Sequence, residues 1–403
     1  MPIGTLPGLS PDALVVDRDI ALTYALDESE GAVAPGDFTL VRARDRDDVV
    51  AVLAEAQAHG IPVVPQAART SLTGSAVATE GCIVLNVEAL TGIDIDEVES
   101  HAVVGPGVVT LALKTAVAET GLYYPPDPAS ADTCTVGGNI ATNAGGLCCI
   151  KYGVTSHYVK ALEVVLPGGE IMRTGHRTAK GVAGFDLTGL FVGSEGTLGV
   201  VTSAVVHLVP LPDPPLTALA TFDSLERAVH GILALRADPH RPCLLEFLDR
   251  MAIQAIQGVG DFGFPADCEA VLLVQSDRSG HTREDVARYG ELLTGAGAED
   301  VAVADDQWEA DALMAGRRML GYALDVRGAR LAEDACVPVS RLGDLVREGQ
   351  RISQRTGVEI AWGGHGGDGN LHPALFFDRS DPTSLHRAEA ALGEVLLAAL
   401  SYG

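Results

Sequence analysis

Pro125-Pro-Asp-Pro-Ala-Ser-Ala-Asp-Thr-Cys-Thr-Val-Gly-Gly-Asn-Ile-Ala-Thr-Asn-Ala-Gly-Gly146 is rich in glycine and small polar side chains and carries no Lys or Arg. Two further stretches in the same half of the chain have this character. One is Pro65-Gln-Ala-Ala-Arg-Thr-Ser-Leu-Thr-Gly-Ser-Ala76, after the apolar segment 61–64, and the other is Phe191-Val-Gly-Ser-Glu-Gly-Thr-Leu-Gly199. Loops of this kind offer backbone N–H groups and hydroxyls to a pyrophosphate without needing cations. One alone could be an ordinary turn; three in one half of the chain point to a single bound group. No Gly-x-Gly-x-x-Gly opens a helix after the first strand, and no Gly-x-x-x-x-Gly-Lys-Ser/Thr occurs, which disfavours a nicotinamide Rossmann enzyme and a P-loop NTPase.

Around these loops the pattern is regular. Residues 38–42 read as a strand, 45–59 as a helix with an apolar stripe at Val49, Val50, Leu53, Ala54 and Ala56, and 61–65 as a strand, giving a β-α-β unit. Short strands follow at 82–87, 92–96 and 101–104, a helix at 108–120, a hairpin around Pro167-Gly168 and a β-branched strand at 199–208. Residues 1–36 read as an irregular or short-helical lead-in. Leu211-Pro-Asp-Pro-Pro215 is a stiff connector and marks a domain boundary. Beyond it, strands at 218–222, 243–247, 270–275, 300–304 and 358–362 alternate with helices at 225–237, 284–294, 341–357 and 382–400. The expectation is an α+β second domain, an antiparallel sheet with helices on one face.

The second domain holds the densest cluster of chemistry. Gly363-Gly-His-Gly-Gly-Asp-Gly-Asn-Leu-His-Pro373 packs two histidines, an Asp, an Asn and five glycines into eleven residues. Neutral imidazoles suit a borderline metal, and Asp or Asn can orient them. His365 and His372 are seven apart and would point to opposite faces of one extended strand. They reach a common centre only if the Gly-Gly-Asp-Gly between them turns the chain.

The totals bound the rest. At 403 residues two domains are the natural expectation. The net charge of −26 argues against nucleic acid, which needs clustered Lys and Arg. No apolar run reaches the ~20 residues of a spanning helix, and residues 1–8 show no secretory signal. Seven scattered cysteines without Cys-x-x-Cys argue against a disulfide framework or an iron–sulfur site in this chain and fit a reducing, cytoplasmic setting.

These stretches closely resemble the flavin-binding domain of the vanillyl-alcohol-oxidase / p-cresol-methylhydroxylase superfamily. Within it the chain resembles the FAD-linked D-2-hydroxyacid dehydrogenase branch: glycolate oxidase catalytic subunits, D-lactate dehydrogenases and D-2-hydroxyglutarate dehydrogenases. The resemblance runs from about residue 37 to the C-terminus and rests on the 125–146, 193–199 and 367–373 motifs together. It implies an α+β fold, with a two-subdomain FAD-binding domain over 37–210 and a substrate cap over 211–403.

The resemblance implies a pyrophosphate on Gln66, Ala67, Ala68, Arg69, Thr70, Ser71, Leu72, Gly74 and Ser75. It places the isoalloxazine near Pro126, Asp127, Thr133, Gly137, Gly138, Asn139, Thr142, Asn143, Gly145 and Gly146, with Glu195, Gly199 and Val200 on the other side. Residues 66–76 hold no His or Cys, so the FAD is expected to be non-covalent. It implies Arg317, with Arg318 second, as the substrate-carboxylate anchor, Asn370 as a substrate contact, and His365 and His372 as ligands of a zinc or manganese ion. The partner implied is a small D-2-hydroxy acid. A quinone, an electron-transfer flavoprotein, an iron–sulfur subunit or oxygen would serve as electron acceptor, and a homodimer is compatible with the pattern.

The chain departs from the family pattern in two places. Ala67, Arg69 and Ser71 stand where relatives tend to have Gly, so a positive φ at any of them would be strained. Relatives also continue past Gly403 into a Gly-Glu-His-Gly segment whose Glu completes the metal site, so two nitrogens are expected here, with Glu246 or Asp368 the alternative third donor. Two rival readings follow: a catalytically weak flavin-binding subunit, and a metal-free alcohol or lactone oxidase.

Overall fold

The computed structural model describes residues 8–29, 32–265 and 267–403. Parts of the 1–36 lead-in, and most of the residues read for a secretory signal, lie outside the described residues. The chain forms two compact units, Met1–Gly146 with Gly153–Leu211, and Leu147–Tyr152 with Pro212–Gly403.

The first unit contains two principal sheets. In one, Thr39–Arg42 and Val63–Gln66 run parallel to Ile83–Asn86 on either side, and Leu14–Val15 adds antiparallel to the outer edge. The helix Arg46–His59 supplies the crossover; Asp45 caps its start and Gly60, at φ 64°, its end. Its buried stripe is Val49, Val52, Leu53 and Ala56. Val52 therefore takes the core place expected of Ala54, which faces solvent. The second sheet is antiparallel with five strands, and the β-branched Val200–His207 at its centre pairs with His101–Val104 and Val159–Val165. The lead-in is thus partly regular: its Leu14–Val15 pairs with Leu40 and Val41.

The second unit is built on an eight-stranded antiparallel sheet. Its central strands are buried at every position, Leu244–Asp249 and Ala270–Ser276 alike. A strand buried at both parities needs cover on both faces. Apolar clusters do lie on both. Leu245, Phe247, Leu272 and Trp362 pack under the helices Leu225–Ala237, Thr282–Gly295, Leu342–Thr356 and Pro382–Tyr402. Leu244, Leu248 and Leu273 pack under Arg250–Gln257 and Leu320–Arg327. The expectation of helices on one face is corrected here; the continuous apolar runs in these strands were the signal for two covered faces. The helices Arg250–Gln257 and Leu320–Arg327 and the strand Asn370–Phe376 were not anticipated.

The segment Leu147–Tyr152 belongs to the second unit because Asp277 holds it. Lys151 Nζ pairs with Asp277 Oδ1, and Tyr152 OH donates to Oδ2 at 2.5 Å. Asp249 is a second internal carboxylate. It caps Arg250–Gln257 through Ala252 N at 2.9 Å and also accepts from Trp362 N at 3.0 Å, which ties that helix to the neighbouring strand. Burial outweighs these N–H donors and raises its pKa to about 7.

The folded state therefore holds a proton on Asp249 that the unfolded chain releases near pH 4. Its contribution is fully present below pH 4 and is lost as pH rises toward 7, up to roughly 4 kcal/mol across that window. Asp249→Asn keeps the acceptor and removes the titration. Both tryptophans, Trp308 and Trp362, lie in this unit, so their fluorescence follows its unfolding separately. In urea titrations the variant should gain stability over the parent as pH rises from 4 to 7.5; a difference independent of pH would refute the assignment.

Candidate active site

The histidine motif is a β-hairpin rather than a loop. The strand Ile360–His365 pairs with Asn370–Phe376 in a register that sets Gly363 opposite His372 and His365 opposite Asn370. His365 and His372 are thus diagonal neighbours on one face. The turn closes with Asp368 N and Gly369 N both donating to His365 O, at 3.2 and 3.1 Å. Two glycines are indispensable. Gly369 sits at φ 94° with Val337 O 2.1 Å from where a Cβ would lie, and Gly364 at φ 147° has Asn370 O at 2.8 Å from the same point.

The two imidazoles meet edge to face, 4.9 Å between centroids, with their Nε2 atoms 3.3 Å apart. Behind each ring stands a carboxylate. Glu246 Oε1 lies 2.6 Å from His365 Nδ1, and Asp334 Oδ1 lies 2.5 Å from His372 Nδ1. Glu246 is fully buried, and its other oxygen accepts from Arg317 Nε at 2.6 Å. Asn370 Nδ2 donates to Asp334 Oδ2 at 3.1 Å, while Asn370 Oδ1 is buried without a partner.

The electrostatics follow from burial and pairing. Burial alone would push the Glu246 carboxyl up, but Arg317 and then His365 outweigh it and hold it below its ordinary value. Burial alone would lower His365, but the Glu246 charge and hydrogen bond outweigh it and raise it. Asp368 is raised, chiefly by burial.

Arg317 closes the last turn of Gln307–Arg318 with 15% of its side chain exposed. Arg318 points away and pairs with Asp311 at 2.7 Å on the surface. The structure therefore brings Arg317, His365, His372 and Asn370 together and leaves Arg318 out. Neither alternative third donor joins the two Nε2 atoms. Glu246 spends its oxygens on Arg317 and on the far side of the His365 ring, and Asp368 Oδ1 accepts from Asn370 N at 3.0 Å. Among the described residues no group of three His, Cys, Asp or Glu could hold a metal ion. The donors left open in this cluster are the facing Nε2 pair and, separately, the unpartnered Asn370 Oδ1.

Sequence reasoning missed Asp334 and Arg236, which binds the Gly367 carbonyl of the turn. It weighed Glu246 only as a metal ligand. A lone acid inside Leu244-Leu-Glu-Phe-Leu248 was the available signal, since unpaired buried acids are rare.

In the first unit, Gln66 ends its strand buried. Its Nε2 donates to Tyr24 O and Ala76 O at 2.8 and 2.5 Å, and its Oε1 is buried without a partner. Of the three residues standing where relatives tend to have glycine, only Arg69 takes positive φ, 61°. Its guanidinium turns back to Ala67 O at 3.1 Å, Glu88 at 3.4 Å and the face of Tyr24 at 4.3 Å. The one cation of residues 66–76 is thereby engaged by Glu88 and Tyr24. Ser71, Thr73 and Ser75 form a hydroxyl chain at 2.9 and 2.8 Å, and Thr73 reaches Glu195 at 3.0 Å, so residues 66–76 and 191–199 meet. Gly74 and Glu195 hold left-handed φ of 78° and 51°. The hydroxyls and backbone of this cradle fit a phosphate-bearing cofactor, whereas the unpartnered Gln66 Oε1 can only accept and suits an N–H or O–H donor.

Other expected contacts are less direct. Asn139 is buried and donates to Thr110 Oγ1 at 2.8 Å, Val200 lies in the core, and Ala67 is buried. Their side chains are engaged inside the unit, so a cofactor contact at these positions would run through backbone groups. Ala68 and Thr70 are partly buried, Leu72 is 69% exposed, and Thr133 bonds Ser130 O. Gly137, Gly138 and Thr142 belong to the helix Val136–Thr142, which Asn143 caps in the left-handed region. Gly145 is exposed, and Gly146 leaves no room for a Cβ beside Asp127. Gly199 backs onto Val164. Lys114, unforeseen, gathers the carbonyls of Tyr124, Pro125 and Pro126 at 2.9–3.3 Å.

Comparison with known proteins agrees with both units. The FAD binding domain family matches residues 39–175, and the C-terminal domain family of FAD linked oxidases matches 211–403. The chain belongs to the FAD-linked oxidases. It is 40% identical to a protein named glycolate oxidase subunit GlcD from Bacillus subtilis, across 90% of this chain and 78% of the relative. It is 35% identical to a D-lactate dehydrogenase from Archaeoglobus fulgidus, across 87% and 78%. The fold is also that of p-cresol methylhydroxylase, TM-score 0.73 at 18% identity over 97% of this chain and 85% of that one. No helix among the described residues is long and apolar enough to cross a membrane.

Removing Arg317 strands a buried anion. Arg317→Ala should destabilise the second unit by about 3–5 kcal/mol, the usual cost of breaking a buried pair. The double variant Arg317→Ala, Glu246→Gln should lose less, because the charge goes with its partner. Tryptophan-monitored unfolding of both variants checks this; equal losses would show that Glu246 does not depend on Arg317.

Proposed function

We propose that this oxidoreductase converts a small D-2-hydroxy acid, of the glycolate, D-lactate or D-2-hydroxyglutarate class, to the 2-oxo acid. The observation that carries the proposal is one partly buried cluster holding an arginine with free Nη groups, an unpartnered amide oxygen and two facing imidazoles. Arg317 spends Nε on Glu246, and its Nη1/Nη2 edge is left to grip a carboxylate in two parallel bonds. Asn370 Oδ1 accepts from the substrate hydroxyl. His365 and His372 present Nε2 to the same point and would hold a zinc or manganese ion, whose contribution is to acidify that hydroxyl. FAD, held by residues 66–76, 126–146 and 195–200, supplies the acceptor for the α-hydrogen as hydride.

The flavin is non-covalent, since residues 66–76 contain no His or Cys to bond it. The similarity to proteins named as glycolate oxidase subunits supports operation within a multi-subunit complex, with the electrons passing on to another component. Metal-free oxidation with the same Arg317 anchor is the second reading.

Purified protein should be yellow and release its flavin to the supernatant on acid precipitation. Anaerobic mixing with a panel of D-2-hydroxy acids should bleach the flavin, with L-enantiomers inert. Arg317→Lys keeps the charge but loses the fork, worth roughly 1.5–3 kcal/mol, so reduction should slow or KM rise by about one to two orders of magnitude. Bleaching that survives exhaustive chelation would select the metal-free reading. A panel that leaves the flavin oxidised throughout would sink the proposal.

A further inference from the structure

We propose that Glu246 is a positioning residue that sets both halves of this site with one carboxylate, fixing the tautomer of His365 and the roll of the Arg317 guanidinium. The inference rests on the reading of the histidines and Arg317 given above and adds the residue that organises them.

The geometry leaves the carboxylate little freedom. Glu246 is in the middle of a strand paired on one side to Leu273, and its neighbour Phe247 pairs to Gly364 on the other. Its side chain is fully buried, with one oxygen 2.6 Å from His365 Nδ1 and the other 2.6 Å from Arg317 Nε. A carboxylate only accepts, so the hydrogen of a neutral His365 ring must be on Nδ1. Nε2 is then a lone pair, aimed at His372 Nε2 3.3 Å away. Asp334 imposes the same tautomer on His372. Two facing lone pairs at this separation repel unless a proton or a metal cation lies between them, so the carboxylates prepare the imidazole pair to hold one. At Arg317 the bond to Nε turns the end-on pair of Nη groups outward. One buried anion thereby relates the carboxylate anchor to the cation position.

Glu246→Gln separates this role from bulk or packing. The Arg317 Nε–H can only donate, so the amide oxygen must face it and the NH2 must face His365 Nδ1. The ring hydrogen then moves to Nε2, where it blocks the pair. The test uses the full, FAD-loaded chain labelled with ¹⁵N-histidine and stripped of metal with EDTA. Long-range ¹H–¹⁵N spectra, assigned with His365→Ala, should show His365 with hydrogen on Nδ1 in the parent and on Nε2 in Glu246→Gln. Co²⁺ alone, followed by its visible absorption, should bind about 10- to 100-fold more weakly to Glu246→Gln. Flavin content per chain should not change. A parent His365 carrying hydrogen on Nε2 and none on Nδ1 overturns the proposal even if the variant does not fold. So does a Glu246→Gln protein with the parent's tautomer and Co²⁺ affinity. If His365→Ala and His372→Ala bind Co²⁺ like the parent, the histidine-pair reading fails instead, whatever the tautomer.

Discussion

The second unit is organised around the burial of Glu246. Taking a carboxylate fully out of water costs several kcal/mol even after relaxation, and it persists only with good partners in close geometry. Arg317 and His365 supply them at 2.6 Å each. The partners come from sequence positions 71 and 119 residues away, so the ion cluster forms only when the sheet and the Gln307–Arg318 helix are both in place. A hydrophobic residue of similar size would satisfy the strand at lower cost. Keeping an acid there makes sense where the orientation of its partners matters more than stability.

The first unit meets the opposite electrostatic problem. A chain of net charge −26 that binds an anionic cofactor would be expected to concentrate cations at the phosphates. It instead turns the one arginine of residues 66–76 away, onto Tyr24 and Glu88, and leaves hydroxyls and left-handed backbone at the surface of the cradle. Backbone dipoles do not add to the net charge and need no counter-ion when the site is empty. The strain at Arg69 is offset by the contacts its side chain makes only from that conformation, which explains how a non-glycine residue is tolerated at a φ of 61°.

Local features of both units were legible in the sequence. The glycine-rich loops, the β-α-β pattern and the Pro-rich connector are short-range signals, set by a few adjacent residues. So was the requirement that the chain turn between His365 and His372. What lay hidden depends on contacts between distant segments. Asp334 reaches His372 across 38 residues, and no spacing announces it. Asn139 stands in a glycine-rich motif, and the bond from its Nδ2 to Thr110, 29 residues away, is announced by no local spacing. The two-sided burial of the central strands was visible as unbroken apolar runs, but only Glu246 interrupts the Leu244–Leu248 run, and that interruption marked the site.

The hairpin shows why the register must be specified so tightly. Strand side chains alternate with period two, so a slip of one residue between the two strands would carry His372 to the other face and leave His365 alone with Glu246. Apolar residues on one face discourage this, because Leu371 and Leu375 belong to one cluster and Ala374 to the other. The glycines discourage it further. Gly369 fits under Val337 O, and Gly364 faces the Asn370 carbonyl, at distances no side chain could occupy. The five glycines of the motif thus act on the histidines indirectly. They fix which residue faces which across the turn, and that pairing brings two nitrogens from opposite strands to a single point.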